Sequence, residues 1–111
     1  MAKVMKCRGD VDALAAKLER SIDLSGASTK LVYKAKRKLS GVKIVIMVFE
    51  RYYMRNSSNT SLTLLLTSDA REITADIIPA GGGKGLLGFD LGSEDDFEED
   101  VIEILRKEDF K

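Results

Sequence analysis

The chain contains no histidine and no tryptophan among its 111 residues. The missing histidine removes the commonest general base and the commonest metal ligand together. There is one cysteine, Cys7, so no intrachain disulfide can form, and a reducing compartment is the expectation. Eighteen lysines and arginines balance eighteen aspartates and glutamates. With no net charge, no overall field draws the protein to nucleic acid or to a membrane surface. The longest apolar run, Ile44–Phe49, is too short to span a bilayer. Met1–Gly9 is charged and lacks the apolar centre of a signal peptide, so a cytoplasmic location is expected.

What is present reads as one ordinary folded domain over 1–111. Hydrophobic residues make up 44% and charged residues 32%, enough apolar material for a core without metals or cross-links. Lys3–Arg8 alternates and predicts a short strand, which Gly9 ends. Asp10 suits a helix cap, and Val11, Leu14, Ala15, Leu18 and Ile22 fall on one helical face, predicting a helix to about Leu24. Lys30–Leu39 and Val42–Tyr53 alternate on either side of Ser40-Gly41, a two-residue hairpin signal. That turn sets Leu39 opposite Val42, Ala35 opposite Ile46 and Tyr33 opposite Val48. Strands are also expected at Thr60–Thr67 and Glu72–Ala80, with Pro79 marking an end or an edge. A further short strand is expected at Leu86–Leu91, and a second helix from Ser93 with Phe97, Val101, Ile104 and Leu105 inward. The order β-α-β-β-β-β-(β)-α gives an α+β fold in two layers, a mainly antiparallel sheet of four to six strands with two helices.

The hairpin has two apolar faces, and their assignment decides the functional reading. Leu31, Tyr33, Ala35, Leu39, Val42, Ile44, Ile46 and Val48 form the more continuous one and are taken as the core face. Val32, Val45, Met47, Phe49 and Tyr53 then lie opposite, rimmed by Lys34, Lys36, Lys38, Lys43 and Arg51. An apolar patch rimmed by charge marks association. These five residues are therefore the expected interface of a homodimer, against the plainer reading that a curled sheet, or helices on opposite faces, buries them within the monomer.

Several motifs invite a chemical reading. Gly83-Lys84-Gly85-Leu86-Leu87-Gly88 has GxGxxG spacing, but a dinucleotide site needs those glycines to open a helix. A phosphate loop needs serine or threonine after its lysine, and Gly85 stands there. Gly82, Gly83 and Lys84 are kept as candidate contacts for an anionic ligand, against the plainer reading of a bulged connection. Glu50 and Arg51, at the end of the long strand, are the other ligand-binding candidates, against the plainer reading of a strand end paired in solvent. The acids Glu94–Asp96 and Glu98–Asp100 lack the spacing of a calcium loop and suit the first turns of a helix. Cys7 lies between Lys6 and Arg8, which favour a thiolate, but its alternation with Met5 makes it a buried structural residue. The basic face Lys34, Lys36, Lys38 and Lys43 has no aromatic stacking platform beside it, so nucleic acid is not the expected partner. No catalytic residue, metal or cofactor is assigned.

The stretch Val48-Phe49-Glu50-Arg51-Tyr52, the strand Thr60–Thr67, and the glycine-rich turn Ala80–Gly83 before Phe89 resemble a family of small uncharacterised bacterial proteins, domain of unknown function 6054. The resemblance covers roughly residues 42–105 and implies a bacterial cytoplasmic protein with no assigned activity. The sequence departs from that pattern at Lys84–Gly88. Two expectations follow for function. The first is a non-catalytic, self-associating binding or structural protein. The second is a carrier of a small apolar or anionic ligand, held between sheet and helices near the glycine-rich turn.

Overall fold

A computed structural model describes residues 3–26, 28–54, 58–81 and 93–111. Its elements are β1 (Lys3–Arg8), α1 (Val11–Asp23), β2 (Thr29–Leu39), β3 (Val42–Tyr53), β4 (Ser58–Asp69), β5 (Glu72–Ala80) and α2 (Ser93–Lys107). The five strands form one antiparallel sheet in the order β1-β5-β4-β3-β2. The expected strand at Leu86–Leu91 lies outside the described residues. No described helix is long and apolar enough to cross a membrane.

The topology follows from α1. It carries the chain from β1 at one edge to β2 at the other. Its 13 residues span about 20 Å at ~1.5 Å each, and four strand spacings of ~4.8 Å cover about 19 Å. Asp10 caps it, accepting the Asp12 N–H at 3.2 Å. Val11, Ala15, Leu18 and Ile22 are its buried stripe. From β2 onward each strand returns beside the last. Ser40 and Gly41 both have positive φ, 50° and 85°, the mirror-image turn that matches strand twist. The expected register holds: Leu39 faces Val42, Ala35 faces Ile46, and Tyr33 faces Val48, with a bulge between Leu31 and Tyr33. The β4–β5 turn uses Ala70 and Arg71 at φ 57° and 113°, where glycine or asparagine would sit more easily.

Both helices cover the same sheet face, α1 over β2–β4 and α2 over β4 and β5. That face is the opposite of the one expected. Val45, Met47 and Phe49 are buried with Leu62, Leu64, Leu66, Ile73, Ala75 and Ile77, beneath Leu18, Ile22, Phe97, Val101 and Leu105. Ile44, Ile46 and Val48 point to the uncovered side and are only half-buried. The reason lies in β2. As an edge strand it does not need an apolar helix-facing side. Lys34 and Lys36 reach past the edge to Glu19 and Asp12 of α1, at 2.7 and 3.4 Å. Phe110, beyond α2, also enters the core. Its N–H bonds Leu105 O at 3.1 Å, folding the chain back under the helix.

Candidate functional site

The expected interface does not survive this inversion. Val45, Met47 and Phe49 are core residues, sealed by the chain's own helices. Tyr53 is half-buried, and its hydroxyl accepts a hydrogen bond from Arg51 Nη1 at 3.1 Å. Only Val32, at the β2 bulge, is exposed. The uncovered face instead carries Ile44, Ile46 and Val48 of β3, Tyr33 and Ala35 of β2, and Leu65 of β4. Ile78 of β5 and Val4 of β1 continue it across the sheet. Tyr33, Ile78 and Val4 are 52%, 42% and 53% exposed, large values for apolar groups on a sheet. No described element lies over them. Thr63, Thr67 and Thr74 separate the apolar groups, Asp76 sits among them between Leu65 and Val4, and Glu50, Lys30 and Arg37 lie around them.

Glu50 and Arg51 lie on opposite faces, as strand alternation requires, with the covered and uncovered sides exchanged. Glu50 projects to the uncovered side, in an open cleft of about 420 Å³ with Ser28, Lys30, Tyr52 and Asn59. Arg51 projects under the helices, where its side chain is 8% exposed. Its Nε donates to Thr29 Oγ1 at 2.7 Å, and Nη2 donates to Ser25 Oγ at 2.7 Å. Nη1 donates to Asp100 Oδ2 at 2.7 Å as well as to Tyr53. Cζ stands 4.3 Å from the centre of the Phe97 ring. One guanidinium thus joins the end of α1, the start of β2, and α2. Gly26 makes room for it: a Cβ there would meet Thr29 Oγ1 at 3.0 Å and Arg51 Nε at 3.5 Å. Across the ladder from Arg51, Thr60 is fully buried and its hydroxyl has no hydrogen-bond partner among the described residues. Gly82, Gly83 and Lys84 lie outside the described residues.

Cys7, Asp12 and Lys43 are each shifted by their surroundings. Burial pushes the Cys7 thiol up, and Asp109 and Glu108 add to the effect, so the flanking cations do not make it a thiolate. Asp12 is held below its ordinary value, first by the hydrogen bond from Lys43, and Lys43 is correspondingly raised. Among the described residues no group of three or more acidic or cysteine side chains is placed to hold a metal ion.

Sequence reasoning found Arg51 but not its surroundings. Ser25, Thr29 and Asp100 come from 26, 22 and 49 residues away. The one local signal was an arginine interrupting the apolar set Val45, Met47, Phe49, which required either an edge or a polar pocket.

A family model described as a family of unknown function, DUF6054, matches residues 1–108. No curated protein and no solved structure matches the chain.

Proposed function

The chain belongs to DUF6054, a family without an assigned activity, and we propose that it is a non-catalytic protein that associates with a second copy of itself through the uncovered sheet face. The observation that supports this is the apolar set Ile44, Ile46, Val48, Leu65 and Ile78, which no described element covers. Size agrees. Five strands at ~4.8 Å by about ten residues at ~3.3 Å give roughly 800 Å² per partner, what a standard interface buries. Two such faces pack as a sandwich, with side chains interleaved between sheets about 10 Å apart. Light scattering on freshly purified protein should give twice the 12.2 kDa chain mass. A mass of one chain at concentrations of roughly 100 μM would remove the proposal, since an interface of this size holds well below that.

A second reading has one specific observation behind it. Thr60 stands opposite Arg51 in the ladder, and its buried hydroxyl, without a hydrogen-bond partner among the described residues, is free to bond the polar head of a small ligand. Native mass spectrometry of the purified protein tests it, with a bound mass expected and a bare chain mass counting against it.

A further inference from the structure

The two edges of the sheet are treated differently. The outer edge of β1 is occupied by the chain itself: Lys6 and Lys111 exchange backbone hydrogen bonds at 2.9 and 2.8 Å. Among the described residues nothing pairs with the outer edge of β2. The phase of its ladder shows what that edge offers. A two-residue loop closes on a hydrogen-bonded pair, here Leu39 and Val42. Lys38, Lys36 and Lys34 therefore occupy the alternate positions, with N–H and C=O directed away from β3. The Arg37 guanidinium donates to Lys36 O at 2.9 Å, as an outward carbonyl allows.

A groove runs beside this edge. Helix α1 forms its other wall. Near the end of α1 the space is about 480 Å³, between Glu19, Arg20, Asp23 and Lys30. Near its start the space is about 230 Å³, between Asp12, Lys36, Lys38 and Lys43. An edge strand flanked by a helix is the geometry in which extended peptides add to sheets.

The charge of the edge selects the peptide. Thr29–Leu39 carries Lys30, Lys34, Lys36, Arg37 and Lys38 and no acid. Glu19 and Asp12 engage Lys34 and Lys36. Lys38 stands opposite Lys43 across the ladder; Asp12 pairs Lys43 at 2.8 Å, and Lys38 has no ion-pair partner among the described residues. Lysine on an edge discourages pairing with basic or neutral strands. Toward an acidic strand the same residues are attractive, so the row that excludes most partners admits one class.

We propose that the β2 edge and α1 form a docking groove for an extended acidic peptide, which adds to the sheet antiparallel or parallel to β2 as a sixth strand. Its backbone would pair with Lys34, Lys36 and Lys38. Carboxylates on its helix-facing side would meet the Lys38 ammonium, and would reach those of Lys34 and Lys36 by displacing Glu19 and Asp12. This groove is separate from the uncovered sheet face, so the two proposals stand or fall independently.

The test uses the full chain labelled with ¹⁵N and a capped synthetic decapeptide alternating glutamate with threonine and valine. The amides of Lys34, Lys36 and Lys38 should shift and exchange with solvent more slowly on titration. A matching peptide with lysine in place of glutamate should leave them unmoved. Lys36→Pro removes one outward N–H without touching the β3 ladder and should abolish binding, with its fold checked by circular dichroism. The double variant Lys30→Glu/Lys38→Glu should weaken binding about tenfold and provides the readout if the proline variant does not fold. No shift at millimolar peptide would overturn the proposal. So would equal response to both peptides, or shifts confined to the Ile44, Ile46 and Val48 face.

Discussion

Replacing Arg51 with methionine should cost about 3 kcal/mol of stability. The figure comes from what the guanidinium holds. Its three bonds to hydroxyls of Ser25, Thr29 and Tyr53 contribute about 1 kcal/mol each, net of the water they replace. The bond to Asp100 adds less than the charges suggest, because that carboxylate is 52% exposed. An exposed partner of this kind contributes about 0.5 kcal/mol after screening. Methionine keeps most of the apolar stem and a favourable contact with the Phe97 ring, which returns part of the loss. For a chain of this length 1 kcal/mol corresponds to about 4 °C, so the melting temperature should fall by about 12 °C. Urea unfolding followed by circular dichroism measures the difference directly, with an unchanged m-value expected. Asp100→Asn should cost under about 1 kcal/mol, since it removes only the screened charge. If Arg51→Met unfolds within about 1 kcal/mol of the parent, the clamp is not a stability element and the reasoning fails. It fails equally if Asp100→Asn costs as much as Arg51→Met, because the ion pair and not the buried fork would then carry the energy.

Three further outcomes are expected. Thr60→Val, which replaces a buried hydroxyl without a partner among the described residues by a methyl, should be neutral or stabilising by about 1 kcal/mol in urea, whereas a clear loss would mean the hydroxyl has a partner. Ala70→Asn with Arg71→Gly relieves positive φ at both turn residues and should raise stability by about 1 kcal/mol; a lower melting temperature would show the turn is not strained. Asp12 titrates below its ordinary value in the folded state, so its contribution is present at neutral pH and is lost as pH falls through that depressed value. Asp12→Asn should therefore be less stable than the parent at pH 7, with the gap closing in acid. A gap that widened toward low pH would reverse the assignment.

Much of the architecture was legible in the residues. Ser40-Gly41 set the β2–β3 register correctly because a two-residue turn leaves no freedom, and Asp10 with the Val11–Ile22 spacing marked α1. The choice of core face was not legible from the hairpin alone. Ile44, Ile46 and Val48 are as apolar as Val45, Met47 and Phe49, and β2 pointed the wrong way because an edge strand can put lysines on its helix-facing side. The decisive signal lay in β4 and β5, where Leu62, Leu64 and Leu66 alternate with Ser61 and Thr63, and Ile73, Ala75 and Ile77 alternate with Thr74 and Asp76. Pairing Met47 with Leu64 and Leu64 with Ile77 fixes the buried face of all three strands at once. The Arg51 cluster was out of reach for a different reason. Its partners converge only after α1 and α2 have docked, and no local pattern encodes that meeting.

Sedimentation velocity on Ile46→Glu beside the parent protein bears most directly on the central claim that the uncovered sheet face joins two copies. Ile46 lies at the middle of that face and supports no core contact, so the variant should remain folded and sediment as a single chain while the parent sediments as a dimer. A parent that sediments as one chain, or a variant that stays paired, would contradict the claim.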